Sequence, residues 1–195
     1  MKKTDNPEWY DRAYSESLKS RGEYSLHPSS SVYILSWERV LEWIGTKDKM
    51  ADFGCGVGQF AELAISKGKK YVQGIDWSSV AIDAARERNP KHAIAFEVSD
   101  IMNPESFSGD YDVAVFLEVL EHIEKDVEIL SLVPPGKRVI FSVPSFGYKS
   151  HYRCFDDIES VLERYKDIIE IMDTDVVVKG SKNNKLLFLV YGKRN

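Results

Sequence analysis

Cysteine is scarce in this 195-residue chain: there are two, Cys55 and Cys154, far apart and in unlike surroundings. They make no CxxC pair and no metal-ligand spacing, so a disulfide framework or a zinc ribbon is not supported. Long apolar runs are missing as well. No stretch approaches the ~18 apolar residues of a membrane span. The two N-terminal lysines lead into TDNPEWYDRAY, which lacks the apolar core of a secretory signal. The expectation is a soluble, cytoplasmic protein with no membrane contact. Nor do basic residues dominate, since 26 Lys and Arg stand against 31 Asp and Glu, for a net charge of -5 and a pI near 5.5. That balance argues against a protein that grips nucleic acid through a broad basic face. Internal repeats and low-complexity tracts are also absent.

What is present is ordinary globular material, 43% hydrophobic and 29% charged, enough for one domain spanning residues 1–195 with a sizeable core. The first 45 residues differ from the rest. They hold Trp9, Tyr10, Tyr14, Tyr24, Tyr33 and Trp37 and little strand pattern. From Ser31, apolar residues at Val32, Leu35, Val40, Leu41 and Ile44 predict a helix stopped near Gly45. Residues 1–45 are therefore expected to form a helical cap.

After the cap the periodicity alternates. Strands are predicted at 49–55, 71–77, 93–100, 111–117 and 138–144, with helices at 59–67, 78–89, 118–130 and 156–165. Two further strands, IIEIMDTDVVVKG and KLLFLVYGK, are joined by the turn SKNN as a hairpin. Repeated strand–helix alternation predicts a doubly wound α/β fold with a mostly parallel sheet, to which the hairpin adds an antiparallel strand.

The strongest motif is ADFGCGVGQF at 51–60, where a strand ending in Asp52 runs through Gly54, Gly56 and Gly58 into a helix. Glycine suits positions where the backbone takes positive φ and a ligand lies against bare main chain. Dinucleotide-binding loops occupy the same place but end in x-x-G, which is missing here, and this speaks against a nucleotide-dependent dehydrogenase. A loop holding pyrophosphate gains nothing from Asp52, whereas one facing a cationic amino-acid ligand does. Asp76 ends the second strand 18 residues beyond Gly58, near the ~20-residue offset at which an acid meets ribose hydroxyls. Asp100 ends the third strand, where an adenine-contacting acid can sit.

Together, ADFGCGVGQF, GIDWSSVAIDAAR, VSDI and YDVAVFLEVLEHI resemble, in that order, the motifs of class I S-adenosylmethionine-dependent methyltransferases over roughly residues 48–145. The resemblance implies a Rossmann-like, seven-stranded sheet with a reversed last strand. It also implies that Asp52, Gly54, Gly56 and Gly58 surround the methionine part of the cofactor. Asp76 would bind ribose, Asp100 with Ile101 would frame adenine, and Phe116, Leu117 and Glu118 would line the inner side. Cys55, Gln59, Trp77 and Ser78 complete the expected contact set. Cys is common at the Cys55 position in this family, so no thiol chemistry is read there.

EVLEHI at 118–123 puts Glu118, Glu121 and His122 at i, i+3 and i+4, one face of the expected helix. His151 follows the fifth strand at the same end of the sheet. Three readings stand. Glu118 contacts cofactor or substrate while Glu121 and His122 orient loops; or His122 or His151 is a general base, its ordinary pKa near ~6.5 suiting a hydroxyl acceptor; or Glu118, Glu121, His122 and His151 hold a divalent metal, as in the similar small-RNA 2'-O-methyltransferases. HxRxF-like segments such as the one at 151–155 also occur in metal-free relatives, and Glu118 has a competing use. The expectation adopted is catalysis by His122, His151 and Glu121 with no stoichiometric metal.

Methyl transfer needs alignment and exclusion of water, and the aromatic cap (Tyr10, Tyr14, Tyr24, His27, Trp37) is the expected lid. With no insertion after the fifth strand, the expected acceptor is a small metabolite, a sugar or its nucleotide conjugate, or a glycan, methylated on oxygen. The alternatives are a metal-assisted RNA 2'-O-methyltransferase and a cofactor-binding subunit without catalysis.

Overall fold

The computed structural model describes residues 6–180 and 185–195. Two cap helices come first, α1 (Pro7–Lys19) and α2 (Ile34–Trp43). α1 starts where the rules of helix entry place it. Asn6 accepts a hydrogen bond from Trp9 N at 2.8 Å, and Pro7, which has no N–H to lose, takes the first helical position. The sheet strands are β1 (Lys49–Phe53), β2 (Lys70–Asp76), β3 (Phe96–Val98), β4 (Val113–Leu117), β5 (Arg138–Pro144), β6 (Ile169–Val178) and β7 (Leu186–Arg194). Between them run α3 (Gln59–Ser66), α4 (Ser79–Arg88), α5 (Asp126–Leu132) and α6 (Ile158–Tyr165).

All seven strands join one sheet in the order β3-β2-β1-β4-β5-β7-β6. β7 runs antiparallel to both neighbours, β5 and β6, and the other pairings are parallel. This is the Rossmann-like methyltransferase arrangement with a reversed last strand. The turn SKNN lies outside the described residues.

Period-two alternation along the strands feeds two cores. In β4, Ala114 and Phe116 point to the face covered by α5 and α6, and Val113 and Val115 to the face covered by α2, α3 and α4. β5 repeats the pattern, with Val139, Phe141 and Val143 on the first face and Ile140 on the second. Strands buried on both faces read as continuous apolar runs, which is why they were legible. Phe53, at the end of β1, stacks on Phe107 and Phe116 with ring centroids 4.5 and 5.0 Å apart. Burying such rings contributes roughly 1.5–3 kcal/mol each, so the strand end that carries the glycine loop rests on a rigid floor.

The strand order reverses between β1 and β4, and open α/β sheets bind ligands beyond the strand C-termini at such a point. Two boundaries differ from the sequence reading. β3 begins at Phe96, because Pro90–Ala95 forms a tight 3-10 turn started by proline. No helix spans 118–130. Glu118 has φ +58, a 3-10 turn covers Leu120–His122, and α5 begins only at Asp126. Glu118 in the left-handed region and Val119 at φ -120 and ψ -50 both lie outside helical geometry, so Glu118, Glu121 and His122 do not share a helix face.

Candidate active site

The glycine loop is tied to the end of β2. Gly54 N and Cys55 N both donate to Ile75 O, at 2.7 and 2.9 Å, and Gly56 N donates to Asp76 Oδ2 at 3.0 Å. Asp76 Oδ1 accepts from Ser78 N at 2.9 Å. The carboxylate thus joins the loop after β1 to the start of α4. Burial pushes its pKa up to about 6, against the pull of those backbone donors. Gly54, at φ +83, passes close under the next turn: a Cβ there would lie 2.5 Å from Val119 Cγ2.

A cavity of about 410 Å³ opens at this end of the sheet. Gly54, Asp76, Trp77, Asp100, Ile101, Glu118 and His122 all border it, as the sequence reading required of a ligand site, and Tyr10 and Tyr14 cover it from α1. The other expected cofactor residues sit elsewhere. Phe116 is fully buried in the core, and Leu117 packs against the opposite one. Cys55 is buried beside its own loop. Gly58 lies against Ala85 and Asn89 of α4's end and accepts from Asn89 Nδ2 at 3.1 Å. Asp52 is buried behind the loop, accepting from Tyr71 OH at 3.3 Å, and burial raises its pKa to about 7.

Gln59 and Ser78 hold the cap. Gln59 Nε2 donates to Glu23 O and Leu26 O, both at 2.9 Å. Ser78 Oγ accepts from Ala81 N as the N-cap of α4 and donates to Asp11 of α1 at 2.5 Å. Arg88 adds bonds to Leu26 O and Tyr24 O at 3.1 and 3.0 Å. Nothing local in the sequence marked Asp11 or Arg88, because their partners are more than 60 positions away.

A second cavity, of about 210 Å³, adjoins the first. The two share Tyr10, Tyr14, Glu118 and His122, and the second adds Tyr24, Tyr33, Glu121, Tyr148, His151 and Lys179. Glu118 stands between them, held in its strained backbone by Ser142. Glu118 N donates to Ser142 Oγ at 2.8 Å, and that hydroxyl donates to Glu118 Oε1 at 3.1 Å. Sequence reasoning missed Ser142, although a polar residue inside the apolar run Val139–Val143 was a usable signal. It also missed Lys179, whose ammonium lies 3.9 Å from Glu118 Oε2, bonds Tyr33 OH at 2.5 Å and sits 4.1 Å from that ring's centroid. Burial raises the pKa of Glu118 to about 7 even against Lys179 and Ser142.

His151 does return to the turn after β4. Its ring lies 4.7 Å from that of His122 in a T-shaped arrangement, and Tyr152 N donates to Glu121 O at 2.7 Å. Glu121, His122 and His151 each present one ligand-type atom, all within 4.8 Å of one another. Glu121 is fully buried, and neither carboxylate oxygen has a hydrogen-bond partner among the described residues. Burial, and next the Glu118 charge, push its pKa well up. His151 Nδ1 lies 3.1 Å from Phe146 O. A carbonyl only accepts, so Nδ1 carries the hydrogen and the neutral ring has its lone pair on Nε2.

Comparison with known proteins places this geometry. The chain is 29% identical over 136 residues to a ubiquinone biosynthesis O-methyltransferase of Thiobacillus denitrificans, covering 63% of this chain and 58% of that one. The chain spans about half the length of the curated relatives it matches. Among solved structures, the N-methyltransferase NodS of Bradyrhizobium japonicum superposes with a TM-score of 0.68 at 17% identity, over 95% of this chain and 98% of that one. The [4+2]-cyclase SpnF superposes with a TM-score of 0.66 at 14% identity, over 96% and 95%. A cyclase and a methyltransferase on one fold show that the fold alone does not name the reaction. The family model described as a methyltransferase domain matches residues 31–173, from the cap into β6, and so takes in the glycine loop, Asp76, Asp100, Glu118, Glu121, His122 and His151. By that match, the chain belongs to the methyltransferase-domain family.

Proposed function

We propose that this protein transfers a methyl group from S-adenosylmethionine to a hydroxyl of a small-molecule or glycan-type acceptor. One observation carries the reading: two adjoining cavities of unequal size share the walls Tyr10, Tyr14, Glu118 and His122. The larger suits the cofactor. Asp76 offers a buried carboxylate to ribose hydroxyls, Asp100 and Ile101 stand where adenine would lie, and Gly54 leaves bare main chain for the methionine part. When bound, the cofactor supplies a methyl carbon on a positively charged sulfur. The smaller cavity takes the acceptor.

The chain's own residues then do three things. Glu118, fixed by Ser142, sets a carboxylate at the junction, where it favours the sulfonium and amino charges. The cap rings exclude water from the junction, which strengthens every charge interaction there. His151 Nε2 takes the acceptor's proton as its oxygen attacks, with His122 packed against it and Glu121 beneath. The relatives' O-methyltransferase activity supports oxygen as the acceptor atom. The acidic charge balance and the tyrosine-lined acceptor cavity favour a small molecule over RNA. No helix among the described residues is long and apolar enough to cross a membrane.

The buried Glu121 carboxylate, with no hydrogen-bond partner among the described residues and 3.9 Å from His122 Nε2, favours a second reading, in which Glu121, His122 and His151 hold a divalent cation that polarises the acceptor hydroxyl. The main reading keeps the site metal-independent. Incubation with labelled S-adenosylmethionine and a panel of hydroxyl acceptors, with and without EDTA, tests both. Transfer that survives EDTA supports the base reading. Loss in EDTA with recovery on Mn or Mg gives the site to the metal, and cofactor retention without transfer to any acceptor leaves a binding subunit.

A further inference from the structure

Beyond the residues that border the cavities, one side chain holds the catalytic pair together. We infer that Arg153 is a positioning residue that sets His122 and Glu121 in register with His151. It comes from the loop after β5, two residues beyond His151, and its guanidinium reaches across to the turn after β4. Nη1 donates to Leu120 O at 2.6 Å and Ile123 O at 2.5 Å, and Nη2 donates to Glu124 O at 2.7 Å. These three carbonyls bracket Glu121 and His122. The planar fork of arginine suits such multiple acceptance, and a lysine ammonium cannot reproduce it.

Asp126 at the start of α5 neutralises the charge. It is fully buried and lies 3.2 Å from Arg153 Nη1. Arg164 of α6 binds the same carboxylate at 2.8 and 2.6 Å, and Tyr165 OH donates to it at 2.6 Å. Asp126 is therefore anchored from α6 whether or not Arg153 is present. The 120–124 segment is a single 3-10 turn leaving a strained Glu118, and a turn that short supplies little rigidity of its own. The Tyr152 N to Glu121 O bond and the guanidinium both tie it to the His151 loop. Removing the guanidinium loosens the turn against the loop, and a displacement of ~1 Å at a reacting centre can cost about 100-fold in rate.

The inference rests on the methyl-transfer reading for its catalytic part, and the test separates the two. Arg153→Met and Arg153→Lys are compared with Arg164→Met, which disturbs the same Asp126 without touching the turn. In the protein without acceptor, the NMR cross-relaxation between the His122 and His151 rings reports their register. It should weaken in both Arg153 variants and persist in Arg164→Met. With a competent acceptor, kcat should fall by on the order of 10–100-fold and its pH profile should move, while the Kd for S-adenosylmethionine stays within about twofold. Millimolar guanidinium should restore part of the lost rate in Arg153→Met. Should Arg153→Met fail to fold, Arg153→Lys carries the same comparison. Unchanged ring contact and pH profile in the Arg153 variants would overturn the inference, as would the same losses in Arg164→Met. A wild-type protein that methylates nothing would overturn the methyl-transfer reading instead, and the ring-contact comparison would still decide the role of Arg153.

Discussion

Asp76→Asn is the most informative single change, because the pH dependence of stability and the cofactor affinity test two separate roles of one carboxylate. Burial lifts the Asp76 carboxyl from an ordinary value of 3.8 to about 6, which corresponds to ~3 kcal/mol against the ionised form. The sign follows from proton uptake. Between about pH 4 and 6 the folded state holds a proton that the unfolded chain has released, so this group's contribution to stability is full below pH 4 and lost as pH rises to 6. Asparagine removes that loss. It also removes an acceptor: Asp76 takes bonds from both Gly56 N and Ser78 N, whereas an amide offers one oxygen and turns a donor toward the other N–H. An unsatisfied buried donor costs about 1–3 kcal/mol, so the two effects nearly cancel above pH 6 and only the loss remains below pH 4. Urea unfolding of the cofactor-free protein from pH 4 to 8 should therefore show a shallower decline in the variant, by ~3 kcal/mol over the window. Calorimetry at pH 8 should show weaker S-adenosylmethionine binding by ~1–3 kcal/mol, the worth of a charge-assisted pair to the ribose. Equal pH slopes in the two proteins would refute the burial argument, and unchanged affinity would refute the ribose assignment.

Gly54→Ala should destabilise by about 2 kcal/mol through positive φ and the clash with Val119. Gly68→Ala, also at positive φ but with open space around it, should cost about 1 kcal/mol in the same urea experiment; equal costs would dismiss the Val119 contact. Asp126→Asn leaves the Arg153 and Arg164 guanidiniums short of a buried partner and should cost about 3–5 kcal/mol by chemical denaturation. A loss below about 1 kcal/mol would show that solvent screens the cluster. His122→Ala should lower turnover more than it lowers S-adenosylmethionine affinity, since the ring packs against His151, the base of the proposed reaction; steady-state kinetics beside calorimetry would expose the reverse.

The sequence by itself determined the parts of this protein that follow from local periodicity and spacing. Strands buried on both faces read as short apolar runs, helices as 3.6-residue patterns, and their alternation predicts a parallel sheet, with Gly54, Asp76, Asp100 and Glu118 at or just beyond the ends of β1 to β4. That is why Gly54, Asp76, Asp100 and Glu118 were found and do line the larger cavity. Tertiary structure alone decided whatever depends on partners distant in the chain. The helix expected from Glu118 onward does not form, and Glu118, in the left-handed region, instead donates its N–H to Ser142, 24 positions later. Gln59 and Ser78 bond the cap because acceptors on residues 11, 23 and 26 lie within their reach. His151 meets His122, and Lys179 meets Glu118, because a loop and a strand end return over the β4 terminus. Periodicity specifies which face of an element is buried, and it carries no information on which remote side chain closes a hydrogen bond there.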